Sequence, residues 1–276
     1  MSLIDFILNV AGLLLWLNWR AVPWMALPPP GTSLAATLKA AEPPRPRWFY
    51  IACLGALVFG RSFFYWEIGP SLHWNPGIPL GPVTLAFRSD VFGRMALFSF
   101  LSFAGTLGIF YLWLILLSAL NSGASDANPQ QRLVRLHLGP LERWPNALKL
   151  LLPLCLMVML WWAFNPLLAK MNMVPKSSAW RLLAQGAVIG LAIYLALKFL
   201  VIGMLILHLI NSYLYLGEYS FWKFVNTTAR GLLRPFKLLP LQFGKVDFAP
   251  LLAIVVVALI TELGRRSLLH LYLKLT

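Results

Sequence analysis

Charged residues are scarce in this sequence, and acidic ones most of all: 12% of its 276 residues are Asp, Glu, Lys or Arg, and only nine are acidic. A water-soluble domain carries roughly 25% charged residues, so a soluble globular class is excluded. Cysteine is nearly absent. Cys53 and Cys155 are the only two, and both fall inside apolar runs. They supply neither a disulfide framework nor the spacing of a metal site. Catalytic signatures are missing as well: the chain has no P-loop, HExxH, GxSxG, CxxC or GxGxxG stretch, and its few carboxylates form no cluster. His73, His137, His208 and His270 are scattered, which argues against haem or zinc ligation. The expectation is no enzyme, no resident metal and no cofactor.

What the chain has in abundance is apolar length. Apolar residues make up 59% of it, and the mean hydropathy is +0.74. A helix needs about 20 apolar residues to cross roughly 30 Å of hydrocarbon. Six runs are candidates: residues 2–19, 48–68, 91–120, 148–169, 182–214 and 248–264. They predict an all-α, polytopic transmembrane protein of six spans. The first run is short, and because Met1 to Asp5 lacks a basic stretch it reads as a retained span rather than a cleaved leader. The second contains Arg61 and Glu67 yet is bounded by Pro46 and Pro70, and it too reads as a span. The fifth, at 33 residues, is about 50 Å long as a helix and requires tilt or a projecting end.

Three segments follow. Residues 1–90 form a membrane hairpin with proline-rich connections: Val22 to Arg47 holds Pro23, Pro28, Pro29, Pro30, Pro43, Pro44 and Pro46, a density that forbids a long helix. A short surface helix is expected around Ser33 to Ala41, and a loop from Gly69 to Phe87. Residues 91–170 and 182–270 read as two copies of one hairpin unit. The stretch Leu114-Ile115-Leu116-Leu117-Ser118-Ala119-Leu120-Asn121 has a counterpart in Met204-Leu205-Ile206-Leu207-His208-Leu209-Ile210-Asn211. Each is followed by a basic, half-apolar stretch and another span. An even number of spans per copy makes this a parallel repeat.

The net charge is +14, carried mainly by short connections rather than by a soluble face, so anionic lipid headgroups are the expected partner and nucleic acid is not. Twelve Lys and Arg residues fall in the first, third and fifth connections, against seven on the other side. The positive-inside bias places the odd connections in the cytoplasm and both termini outside.

The stretch 218–240 is the most informative. Lys223, Thr227, Arg230, Arg234 and Lys237 recur at three- and four-residue steps, with Phe221, Val225, Leu232, Leu233 and Phe236 opposite. This predicts a basic amphipathic helix at the interface, ended or kinked by Pro235. Asp247 is placed to cap the next span, and Pro250 suits its first turn, where a missing N–H costs nothing. Arg234 and Asp247 flank one loop and are expected to pair, the alternative being Arg234 on phosphate and Asp247 as cap alone.

Leu233-Arg234-Pro235-Phe236-Lys237-Leu238-Leu239-Pro240 followed by Gly244-Lys245-Val246-Asp247-Phe248-Ala249-Pro250 resembles the signature of the YggT (YlmG-like) membrane protein family. The resemblance covers residues 200–264, extends faintly to Leu138 to Arg143, and leaves residues 1–90 uncovered. Ala249 stands where the family has serine, and Arg230-Gly231 where it has an acid-proline step, so roles resting on those polar atoms are not carried over. The resemblance implies an integral protein of a bacterial inner membrane or plastid, linked to membrane-complex assembly, division and osmotic tolerance, with no established catalysis. The absence of an Arg- and Ser-rich transit segment favours the bacterial inner membrane.

Three features remain. Lys198 stands midway in the fifth run, and an ionisable residue in a span is a functional candidate by default. The competing reading pairs it with Asp5, Glu67 or Glu262, or lets it snorkel. Arg61 raises the same question. Gly186 and Gly190, spaced as GxxxG, admit close approach of another helix, from this chain or from a second copy in a homo-oligomer. The leading functional expectation is a non-enzymatic scaffold that docks lipid or a membrane protein through residues 122–147 and 215–247. The alternative is a channel or transporter for ions or small osmolytes, with Lys198 on its pathway.

Overall fold

The computed structural model describes residues 2–25, 46–121, 129–171, 173–175, 177–214, 219–238, 242–243 and 246–275. It is all-α, as expected. The long helices are α1 (Ser2–Met25), α2 (Arg47–Ile68), α3 (Phe92–Leu120), α5 (Asn146–Lys170), α6 (Ala179–Ile193), α7 (Leu197–Leu214) and α9 (Ala249–Leu275). Two shorter ones are α4 (Pro129–Leu138) and α8 (Ser220–Leu232). The segment expected as a loop after α2 contains two short strands, β1 (Gly77–Pro79) and β2 (Thr84–Ala86). Leu80 N–H donates to the Val83 carbonyl at 2.7 Å to close the turn between them. The short helix expected at 33–41 lies outside the described residues.

Proline sets several boundaries. α2 and α5 each begin directly after an extended proline, Pro46 (φ −62°, ψ 144°) and Pro145 (φ −61°, ψ 146°). α5 also carries Pro153 and Pro166 internally, which membrane helices tolerate when neighbours re-satisfy the freed carbonyls.

Among the described residues, five segments are long and apolar enough to cross a membrane: Leu3–Arg20, Arg47–Ile68, Phe92–Leu120, Asn146–Lys170 and Ala179–Leu214. The expected sixth, α9, is not among them. Its helix runs 27 residues, but Glu262, Arg265 and Arg266 interrupt the apolar run after Thr261. The long fifth run forms as α6 and α7 joined by a 3-10 turn, Tyr194–Ala196, immediately before Leu197 and Lys198. A 3-10 turn inside a helix alters the phase at which successive side chains meet their neighbours.

Two compact units divide the chain, and their boundary falls inside α3. The first comprises Met1–Ile78 and Ala86–Gly108; the second comprises Pro79–Leu85 and Ile109–Thr276. In the first, α1 and α2 pack together beside an aromatic cluster. Tyr65 lies 5.1 Å from Trp74 and 5.8 Å from Phe98 between ring centroids, and Phe87 lies 5.5 Å from Phe98.

In chain order, α3, α4, the 3-10 turn Gly139–Arg143 and α5 are followed by α6, α7, α8, the 3-10 turn Arg234–Leu238, a short strand pair and α9. α8 folds back antiparallel on α7, with Ala229 and Leu233 packed on Leu205 and with Asn226 bonded to His208. α8 is two-sided as predicted. Lys223, Thr227, Arg230 and Arg234 are exposed, while Phe224, Val225, Thr228, Ala229 and Leu233 are buried. Phe221 departs from the expected apolar face and is exposed, because the face that meets α7 is centred on 224 and 225. The buried face packs on protein: Phe224 joins Leu114, Ile115, Leu117, Val134 and Leu138, and Ala229 and Leu233 join Ala253. The helix ends at Leu232 before Pro235, with Leu233 N–H donating to the Ala229 carbonyl at 2.8 Å.

α9 begins at Ala249, and the Phe248 carbonyl accepts from Leu252 N–H at 3.0 Å. Phe248 therefore occupies the capping position expected for Asp247, which sits one residue earlier in a tight ribbon where Gln242 pairs with Asp247 and Phe243 with Val246. The Asp247 side chain, and with it the expected pair to Arg234, lies outside the described residues.

Candidate functional site

Helical spacing assembles a polar cluster in the first unit from residues that alternate with apolar ones. Asp5 and Asn9 are one turn apart on α1, Arg61 and Tyr65 one turn apart on α2, and Ser99 and Ser102 three residues apart on α3. Such steps put each pair on one helix face. The Arg61 guanidinium, 1% exposed, uses all three nitrogens. Nε donates to Ser99 Oγ at 2.6 Å, Nη1 to Asn9 Oδ1 at 2.7 Å, and Nη2 to the Ser99 carbonyl. Its counter-charge is Asp5, 3.7 Å away. The Asp5 carboxylate accepts from Tyr65 Oη at 3.1 Å, from Asn9 Nδ2 at 3.2 Å and from Ser102 Oγ at 2.8 Å. Ser99 and Ser62 hydroxyls both donate to the Val58 carbonyl. A charge is tolerated at membrane depth only when it is paired and its hydrogen-bonding capacity is filled. This cluster meets both conditions and ties α1, α2 and α3 together.

A second buried charge lies in the other unit. Lys149, in the first turn of α5, is 3% exposed; its Nζ donates to Ser118 Oγ at 3.0 Å and stands 3.5 Å from Glu142 Oε2. Ser118 Oγ donates to the same carboxylate at 2.5 Å, and Arg135 Nε approaches Glu142 Oε1 at 3.6 Å. Next to it, Asn121 Nδ2 donates to Thr228 Oγ1 at 2.9 Å, joining the end of α3 to α8. Ser220 Oγ donates to Gln130 Oε1 at 2.8 Å, joining α8 to α4. Two short helices are thus held side by side by their inner faces. Their outer faces present Arg132 on α4 and Lys223, Arg230 and Arg234 on α8, all exposed.

The expected site residues separate accordingly. Arg61 is the most tightly held charge in the first unit. Lys198 is half-buried, with Nζ 5.0 Å over the Phe199 ring. Of the acids considered for it, Glu262 lies in the same unit and is held by Arg265 at 2.8 Å and Arg266 at 2.9 Å. Arg234 and Pro235 are exposed just beyond α8, and Pro250 is buried in the first turn of α9. His208 Nδ1 donates to Asn226 Oδ1 at 2.8 Å, so it is a satisfied hydrogen-bonding residue, as expected. Cys53 and Cys155 are free.

Gly186 and Gly190 do bring a helix close, and that helix is α5 of the same chain. A Cβ at Gly186 would lie 3.1 Å from the Val158 Cα, and one at Gly190 would lie 3.2 Å from the Leu154 carbonyl oxygen. Backbone cannot step aside as a flexible side chain can. Gly186→Leu is expected to destabilise the second unit by about 1–3 kcal/mol through overpacking. Gly203→Leu is the control, because nothing lies within 4 Å of a Cβ there. Thermal unfolding in nanodiscs should separate the two, and equal melting temperatures would disprove the close packing of α5 on α6.

Sequence reading singled out Arg61 but missed Asp5 as its partner, and it missed Lys149 and Glu142 altogether. One signal was available for the last pair: Lys149 is the second residue of the fourth apolar run, a charge inside an apolar run like the one that drew attention to Lys198. Comparison with protein-family models, with curated proteins and with solved structures finds no match for this chain.

Proposed function

We propose that this chain is a bacterial inner-membrane protein of the YggT type that acts as a non-enzymatic scaffold for assembly of a membrane complex. The observation that carries the reading is the pair α4 and α8. Their apolar faces are buried on the helices beside them, which leaves their basic faces to meet a partner or anionic headgroups. Buried charge supports it too, since Arg61 and Lys149 are closed into clusters that tie helices rather than turned toward a path.

Six crossings and a parallel repeat belong to the same proposal. α9 runs antiparallel beside α6 and α7: Ala253 packs on Leu205, a Cβ at Gly264 would lie 3.2 Å from Leu195, and Gln185 Nε2 donates to the Leu275 carbonyl at 3.3 Å. Its 27 residues span about 40 Å, enough to accompany the fifth span across a bilayer. For the repeat, the bonded pair Gln130 and Ser220 are 90 residues apart. That is the offset between the matched stretches at 114–121 and 204–211. Matched positions meet where two copies face each other across a two-fold axis.

Photo-crosslinkers at Arg132, Lys223 and Arg230 in cells test the scaffold reading, together with solute efflux from proteoliposomes under an osmotic step. The expected result is a discrete protein or lipid adduct from all three positions, with efflux equal to that of empty vesicles and unchanged by Lys198→Leu. Efflux that Lys198→Leu alters, without adducts, would make the chain a channel or transporter.

A further inference from the structure

Three side chains with buried polar atoms are left unexplained by the clusters above, Trp113, Gln131 and Asn165, and of these Gln131 lacks a partner at both of its polar atoms. It lies on the inner face of α4, 3% exposed, and among the described residues neither its Oε1 nor its Nε2 has a hydrogen-bond partner. A buried amide left in that state carries the full cost of its lost hydration. Gln131 lines a small, partly open cavity with the polar residues Ser118, Asn121, Arg135 and Glu142 and the apolar Leu117, Val134 and Phe224. Its volume is about 10 Å³, room for roughly one water.

The lining chooses among occupants of that size. Arg135 and Glu142 both line it, and Glu142 is already approached by Arg135 and Lys149, so a cation would have to compete with two resident positive charges. An anion would accept from Gln131 Nε2 but would set its charge against the Oε1 lone pairs. A neutral molecule that both donates and accepts suits both amide atoms and can reach the Ser118, Asn121 or Glu142 side of the cavity. We propose that the cavity binds one ordered water, which bridges the Gln131 amide to the polar groups of α3 and of the 3-10 turn Gly139–Arg143. The water is then part of the seat that fixes α4 on α3. This site does not depend on the scaffold reading.

X-ray radiolytic footprinting of the intact protein in nanodiscs tests it, because hydroxyl radicals generated from a bound water oxidise the side chains that touch it. Phe224 and Leu117, 5% and 9% exposed, are expected to gain oxygen, while Phe87, at 0%, stays unlabelled. In Gln131→Leu, shown to be folded by its melting transition, labelling of Phe224 is expected to be lost. Wild-type Phe224 as unlabelled as Phe87 would mean a dry cavity and overturn the proposal, without any need for the variant. Labelling that persists in Gln131→Leu would overturn it as well, since the oxidant would then come from bulk solvent.

Discussion

Replacing Arg61 with alanine is expected to destabilise the first unit by about 3–5 kcal/mol, the cost of leaving a buried charge without its partner. The substitution strands Asp5, removes the donors held by Ser99 and Asn9, and opens space between α1, α2 and α3. Lysine is not expected to rescue it. Arg61 serves three acceptors through three separate nitrogens in a planar fork, and an ammonium group offers one point charge on a flexible stem. The combination Arg61→Leu with Asp5→Asn should recover much of the loss, because it removes both charges together. Melting temperatures of the two single variants and the pair, in nanodiscs, form the cycle that measures the coupling. Additive losses would show that Asp5 and Arg61 do not act as a pair.

Glu142→Ala is expected to cost a similar amount, about 3–5 kcal/mol, although Glu142 itself is only partly buried. Its effect passes through Lys149, which at 3% exposure keeps Ser118 as its remaining partner once the carboxylate is gone. Lys149→Met in the same chain should restore stability, since the apolar side chain fills the stem's volume without a charge. The local readout is hydrogen exchange at Val134 and Leu138, on the buried face of α4. Their protection should fall in Glu142→Ala and return in the double variant. Glu262→Ala provides the contrast. Its two ion pairs with Arg265 and Arg266 are exposed at 44–73%, and solvent screening leaves such pairs little effect on stability. A loss at Glu262 as large as that at Glu142 would contradict the burial on which the argument rests.

The clusters show why reading along the chain found some of the site and not the rest. Arg61 is visible because a charge interrupts an apolar run, and run length is a one-dimensional property. Asp5 lies near the start of the first run, where an acid looks like an ordinary helix-end residue, and nothing local announces that α1 brings it beside Arg61. Ser99 and Ser102 look like small packing residues until an arginine from another helix stands against them. Lys198 has the stronger linear signal, and it rests over the Phe199 ring just after the 3-10 turn Tyr194–Ala196, neither of which a run of apolar residues announces. The glycine pair at 186 and 190 announces a close approach in the sequence but does not say which helix makes it.

Sequence alone determined the solvent and the class. Apolar runs of bilayer length require helices, since a backbone in hydrocarbon has no water to bond and must satisfy itself within the segment. It also determined the two-sided character of residues 220–234 and the end of that helix before Pro235, both of which follow from local periodicity and proline chemistry. The tertiary structure decided what those features face. It turned the apolar side of α8 onto α3, α7 and α9, gave Arg61 and Lys149 their partners, and seated α5 against Gly186 and Gly190. Partner choice depends on which helices become neighbours, a matter of packing between segments far apart in the chain.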